Sequence, residues 1–267
     1  MKSDFNNSFD RYADEYNKAR PQYPEELFND LWQVCSISKK TSILEIGSGN
    51  GLATLKLTKK YKRIIALEPG KNLMKIAKER LKKYKNVSFV KNTFEGFKTF
   101  KTKERFDVIT AFTSFHWIKD DIKFSKSASL LKDNGQIALV WFSFMQKESP
   151  VFKTINKAYY KFFANSHSKA SVKEVNRMAT TKTNERIKEI FSAKEFTVSF
   201  FRRYLNLYSY DGRGYAKLVN SFSDISCQKE AKRTPFLIEI ESIVDKNKGI
   251  SIPIVTLFVV AEKNTNF

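Results

Sequence analysis

The chain predicts an open α/β fold with a largely parallel sheet, and three observations carry that expectation. An apolar run, Ile43-Leu44-Glu45-Ile46, breaks into Gly47-Ser48-Gly49-Asn50-Gly51 and then into Leu52, Leu55, Leu57 and Tyr61 at helical spacing. Strand-like and helix-like stretches go on alternating as far as residue 145, the pattern of successive βα units. A carboxylate, Glu68, falls 21 positions after Gly47 at the end of the second apolar run, where such folds hold a ribose diol.

The 267 residues suit one large domain, and an apolar content of 42% is enough for a full core. Cys35 and Cys227 form no disulfide framework, and two histidines in all leave no metal-ligand pattern, so no metal is expected. The start, Met-Lys-Ser-Asp, is no signal peptide, and no run is long enough to span a bilayer. The expected setting is the cytoplasm, with no membrane partner. A net charge of +20 invites a nucleic-acid partner. The lysines are scattered along the whole chain, however, and pairs such as Lys59-Lys60 and Lys82-Lys83 fall on the outer sides of expected helices. A solvated lysine-rich surface is favoured over a dedicated RNA-binding face.

In order, residues 1–35 read as one or two helices with Phe5, Phe9, Tyr12, Tyr16, Leu27 and Leu31 on one side and a forced break at Arg20-Pro21-Gln22-Tyr23-Pro24. Strands are expected at 42–47, 63–67, 87–90, 106–112 and 136–142, and helices at 51–61, 71–84 and 120–132, the last stopped by Asp133-Asn134-Gly135. Beyond Pro150 a helix over 150–165 precedes a polar, aperiodic insertion over 166–195. A strand at 196–208, two helices within 211–246 around Ser221-Phe222-Ser223, and a last strand at 250–261 follow. The division expected is one domain, 1–267, with an N-terminal segment at 1–40, a ligand-binding core at 41–145, a cap at 146–249 and the last strand at 250–263.

The glycines allow positive φ and leave no Cβ, so a ligand can lie against the backbone. The spacing is G-x-G-x-G, with Leu52 where a dinucleotide site wants Gly or Ala, and no Lys-Ser/Thr pair follows as in a P-loop. Glu45, two before the first glycine, repels a pyrophosphate and suits a ligand with an ammonium group. S-adenosylmethionine (SAM) has an ammonium, a sulfonium and no phosphate. With these residues the segment resembles the first motif, acidic-x-G-x-G-x-G, of the class I SAM-dependent methyltransferases. The resemblance implies a Rossmann-like three-layer sandwich whose seven-stranded sheet is mostly parallel, its last strand antiparallel between the fifth and sixth. It also implies an N-terminal helical lid, a C-terminal helical cap insertion, SAM as cofactor and S-adenosylhomocysteine as product.

Two further segments narrow the likeness. Phe9-x-x-x-Ala13-x-x-Tyr16-x-x-x-Arg20-Pro21-x-Tyr23-Pro24 and Phe115-His116-Trp117 resemble the methyltransferase type 11, trans-aconitate methyltransferase-like group. The resemblance implies that Tyr16 and Arg20 lie near the methionine end of SAM, where an Arg can pair with its carboxylate; ordinary packing and a surface position are the alternatives. The cofactor set is then Glu45, Gly47, Ser48, Gly49, Gly51, Glu68, Pro69, Thr93, Phe94, Thr113, Tyr16 and Arg20. Thr93 and Phe94 stand where the family usually has an acidic residue and an alanine, so the usual carboxylate to the adenine amine is missing; a Thr hydroxyl can read the adenine edge and Phe94 can stack. Phe115, His116, Trp117 and Phe142 form the expected substrate pocket, since ligands bind at the carboxyl ends of strands in such sheets. His116 either acts as a base or orients the acceptor, or is a hydrogen-bonded wall residue. Phe142 replaces an Asn common in the related sequences.

The expected reaction is methyl transfer from SAM to a small molecule, with a carboxylic acid oxygen as the acceptor and Arg202, Arg203 and Arg213 as candidate anchors. The alternatives are an RNA or protein methyltransferase and a non-catalytic SAM-binding protein. Base methylation lacks its usual marks: there is no Asn/Asp-Pro-Pro-aromatic segment after the fourth strand and no cysteine near the fourth or fifth. The expected assembly is a monomer or homodimer.

Overall fold

The computed structural model describes residues 10, 19–35, 40–98, 105–163 and 171–265. Phe5, Phe9, Tyr12 and Tyr16 lie outside these residues. The elements in order are α1 (Glu25–Val34), β1 (Ser42–Ile46), α2 (Leu52–Leu57), β2 (Arg63–Leu67), α3 (Lys71–Arg80), β3 (Val87–Val90), β4 (Phe106–Phe112) and a 3-10 turn (Phe115–Trp117). Then follow α4 (Lys123–Leu130), β5 (Leu131–Phe144), α5 (Pro150–Phe162), α6 (Val172–Phe191), β6 (Phe196–Tyr210), α7 (Gly212–Asn220), α8 (Ser223–Ser226), α9 (Glu230–Lys246) and β7 (Ile250–Lys263).

The seven strands form one sheet in the order β3-β2-β1-β4-β5-β7-β6. β1 to β5 pair in parallel, for example Leu44 with Ile65 on one side and with Ile109 on the other. β7 runs against its neighbours. Gln136 bonds Glu262 and the Leu131 carbonyl accepts from Lys263, while Asn264 pairs with Glu195 and Ser199 with Val260. The seven-stranded, mostly parallel architecture with an antiparallel last strand is therefore present.

Strand alternation divides the apolar residues between two cores. Leu44, Ile46, Ile65, Leu67, Ile137, Leu139, Leu257 and Val259 pack with Phe106, Phe115, Ala128 of α4 and Ile190 of α6. Ile43, Ile64, Val108, Ala138, Val140, Phe258 and Val260 pack with Leu27, Phe28 and Leu31 of α1, Ala53 and Leu57 of α2, and Tyr61. Because both faces are covered, the inner strands read as continuous apolar runs.

Several expected elements differ. The helices at 51–61, 71–84 and 120–132 are shorter, ending at Leu57, Arg80 and Leu130. Asp133-Asn134-Gly135 does not stop a helix but sits inside β5 as an irregularity, with Asn134 at φ +60°. The pairing with β4 jumps there, from Phe106↔Leu131 to Val108↔Gln136. Asn tolerates left-handed backbone, so a turn signal can equally serve a bulge. The supposed insertion over 166–195 contains the 20-residue helix α6. Only Val172, Thr183 and Ile190 of that helix are fully buried, too few to give a helical apolar stripe in the sequence.

The chain divides into two compact units. One comprises 22–142, 184–204 and 256–267 and contains β1 to β4 with most of β5. The other comprises 1–21, 143–183 and 205–255 and is largely helical. In the latter, Tyr159 and Phe163 close around the buried Phe236 ring at centroid distances of 4.7 and 4.9 Å. Gln146 and Asn156 exchange side-chain amide bonds of 3.0 and 2.9 Å.

Candidate cofactor site

The site begins where β1 ends. Gly47, Gly49 and Gly51 all take left-handed φ, +66°, +56° and +79°, but they differ in what surrounds them. A Cβ on Gly47 would lie 2.6 Å from Ser114 Cβ, and one on Gly51 would lie 2.9 Å from Leu81 Cδ1 and 3.1 Å from Ala77 Cβ. Those two glycines let neighbouring elements close up. A Cβ on Gly49 would meet nothing within 4 Å. Gly49 is thus the point at which bare backbone faces open space.

Glu68, one residue beyond β2, reaches across to this turn. Its Oε2 accepts from the Gly49 N–H at 2.8 Å and its Oε1 from the Gly70 N–H at 2.8 Å. A carboxylate accepts about four hydrogen bonds, and Glu68 stands at the strand end where such folds hold a ribose diol. The turn is also tied to the sheet by the Ser48 N–H, which donates to the Leu67 carbonyl at 2.8 Å. Pro69 follows Glu68 and leads into α3.

Glu45 is 1% exposed because every residue of β1 is buried. Its Oε2 accepts from Thr54 Oγ1 of α2 at 2.7 Å. Its Oε1 is buried with no hydrogen-bond partner, as is Ser48 Oγ in the turn itself. Burial pushes the Glu45 carboxyl up to about 7, against the Thr54 bond and with the help of the nearby Glu68 charge. Two polar atoms beside the glycine turn therefore lack partners within the protein, a state native structures normally resolve with a ligand or water.

At the carboxyl end of β4, Thr113 has φ +59°, an outlying conformation for a β-branched residue. Its N–H donates to the Val140 carbonyl at 2.7 Å, and its hydroxyl lies 3.2 Å from the Tyr23 hydroxyl. Ser114 Oγ donates to the Ile46 carbonyl. In the 3-10 turn that follows, the His116 and Trp117 rings are half-buried and 4.9 Å apart.

The remaining expected residues are distributed unevenly. Phe115 is buried in the core against Phe124, at 5.5 Å, rather than standing at an open pocket. Phe94 likewise lies in the core, 3% exposed, with the Lys126 ammonium 5.3 Å above its ring. Thr93 is exposed, and its hydroxyl accepts from the Gly96 N–H at 3.2 Å. Phe142 stacks on Tyr23 at 4.6 Å and 10°. Arg20 belongs to the other unit. There it donates to the Ser221 carbonyl at 2.9 Å and lies over the rings of Phe222 and Phe144. Tyr16 lies outside the described residues. Arg202 pairs with Asp30 at 2.9 Å, Arg203 donates to Asn184 at 3.2 Å, and Arg213 is exposed on α7.

Sequence reasoning passed over Thr54, Ser114 and Tyr23 as members of this site. The placement of Thr54 one helical turn beyond the glycines was a usable signal, as was that of Tyr23 between two prolines. Ser114 offered none, because its role depends on the side-by-side pairing of β1 and β4. Among the described residues no cluster of His, Cys, Asp and Glu could hold a metal ion, and no helix is long and apolar enough to cross a membrane.

Residues 43–135 match the family model described as a methyltransferase domain. The Saccharomyces cerevisiae protein named "Probable S-adenosylmethionine-dependent methyltransferase CRG1" is 27% identical over 150 residues, covering 55% of this chain and 50% of that one. An uncharacterized methyltransferase of Bacillus cereus is 26% identical over 212 residues, covering 76% and 94%. The chain spans about half the length of the first three curated relatives it matches. Among solved structures, a provisionally named type II methyltransferase from Anaeromyxobacter dehalogenans superposes with a TM-score of 0.62 at 16% identity, covering 92% of this chain and 97% of that one. Residues 43–135 are thus similar to a methyltransferase domain, and the seven-stranded fold around them is the one shared with methyltransferases of known structure.

Proposed function

We propose that this chain is a SAM-dependent methyltransferase acting on a small molecule, with an oxygen of a carboxylic acid as the favoured acceptor. The observation that carries the reading is Gly49. Its backbone faces open space, and its N–H is held by the carboxylate of Glu68. The donor set suits SAM. Glu68 can take the ribose diol, and the Glu45 carboxyl, buried beside the turn with one oxygen unpartnered, is a second acid on the cofactor's side of the sheet end. Neither carboxylate welcomes a phosphate. The name of the yeast relative points the same way.

Bound SAM supplies a methyl group activated by its sulfonium. What remains for the chain is to hold the acceptor in line with that group and to keep water away. A carboxylate acceptor is already anionic and needs no base, which leaves orientation as the role for His116. Arg202 is exposed, and its ion pair with the partly buried Asp30 is worth at most about 1 kcal/mol, so a substrate carboxylate can compete for that arginine.

The test is to incubate the protein with tritiated SAM and a small-metabolite extract and to identify the labelled product. Base-labile label released as methanol is the outcome expected for a methyl ester. The charge of +20 is what favours the second reading, an RNA or protein methyltransferase. Label in the macromolecular fraction, with salt-dependent RNA binding in the first case, would select it. SAM binding without transfer to any fraction would leave a non-catalytic binder.

A further inference from the structure

We propose that Tyr23 is a positioning residue which, through the hydroxyl of Thr113, holds the end of β4 in the conformation that the cofactor site requires. The inference rests on the reading that this site binds SAM. Nothing in the family match covers Tyr23, which lies outside residues 43–135.

Thr113 is the anomaly. A threonine at φ +59° is strained, because its Cβ crowds the backbone, and such residues persist only where their surroundings hold them. Two bonds hold this one: the N–H to the Val140 carbonyl at 2.7 Å and the hydroxyl to Tyr23 at 3.2 Å. Tyr23 is itself fixed. Its ring lies flat on Phe142 at 4.6 Å and meets the edge of Phe112 at 5.0 Å, and Pro21 and Pro24 restrict the backbone on either side. A phenol clamped on a rigid aromatic platform is a precise anchor for one hydroxyl.

The reversal at Thr113 has a consequence on the other side of β4. It sets the position of Ser114, whose Cβ occupies the space that a Cβ on Gly47 would need and whose hydroxyl bonds the Ile46 carbonyl. The path from Tyr23 to the glycine turn therefore runs through two adjacent residues and three contacts. Loss of the Tyr23 hydroxyl frees Thr113 to relax toward ordinary β or helical φ. Ser114 would then move off Gly47, and the turn would lose its support.

The strain at Thr113 makes Tyr23 open to a rescue test. Tyr23→Phe keeps the ring and its stacking but removes the hydroxyl. SAM affinity, measured by calorimetry, is expected to fall roughly five- to tenfold, the usual size of a coupled-pair effect. Thr113→Gly adopts φ +59° without strain and needs no clamp. In the Thr113→Gly background, Tyr23→Phe should change SAM affinity by less than about twofold, and the non-additivity of the double variant reads the coupling directly. A packing role for Tyr23 gives no such rescue. Unchanged affinity in Tyr23→Phe would overturn the proposal, and so would a loss that persists in the glycine background. A wild-type chain that binds no SAM would overturn the cofactor reading along with it, whereas wild-type binding with an indifferent Tyr23→Phe overturns this proposal alone.

Discussion

Gly47 and Gly49 look interchangeable as letters but are distinguished by what stands next to them. Gly47→Ala places a Cβ 2.6 Å from Ser114 Cβ and should destabilise the fold by about 2 kcal/mol or more, read as a lower denaturation midpoint. A Cβ at Gly49 meets nothing within 4 Å, so the folding cost of Gly49→Val is chiefly left-handed strain of roughly 1–2 kcal/mol, while its side chain fills the ligand's space. Glu45 carries a pH signature. Its carboxyl, ordinarily near 4.5, is pushed up to about 7 in the folded chain. Between those values the folded chain holds a proton that the unfolded chain has lost. The stability tied to this group is therefore full below about pH 4.5 and is lost as pH rises through 7. Glu45→Gln, permanently neutral and still able to accept from Thr54, should melt above wild type at pH 8 and level with it near pH 4, a difference on the order of 2–3 kcal/mol. The glycines and Glu68 were legible because spacing alone exposes them. The burial of Phe94 and Phe115 was not, since an aromatic residue at a strand end can face either the core or the ligand and only packing decides.

At the scale of elements, strands were easier to anticipate than helices. β3 and β4 stand where the apolar runs placed them, because buried strands write their limits in apolar letters. α6 stayed hidden: it buries too few residues to show a stripe, and polar residues alone do not separate a solvated helix from a loop. The bulge at Asn134 stayed hidden for the opposite reason, since Asp-Asn-Gly is as good a turn as it is a bulge. α7 gives an independent check on local physics in the helical unit. Asp211 caps it, with its side chain accepting from the Gly214 N–H at 2.7 Å. Asp211→Ala should cost about 1 kcal/mol. Gly212→Ala should cost more, because the added Cβ would lie 2.5 Å from Asp245 Oδ1 of α9. Thermal melts of the two variants rank these costs, and a harmless Gly212→Ala would show that α7 and α9 are not closely packed.

For the whole molecule, the sheet order places the glycine turn and the ends of β2 and β4 side by side, so that Gly49, Glu68 and Thr113, far apart in sequence, surround one region. Alternating βα units announced that arrangement, whereas neither the acceptor nor its anchors could be read from a chain whose basic residues are spread throughout. The central claim is that a side-chain-free bend beside Glu68 receives SAM. The most direct test is calorimetric titration of SAM into the wild-type chain, Glu68→Ala and Gly49→Val, each first shown to melt cooperatively. One site per wild-type chain, weakened at least about tenfold (~1.4 kcal/mol) by either substitution, is the predicted result. No heat with the wild-type chain, or affinities left unchanged by both substitutions, would contradict it.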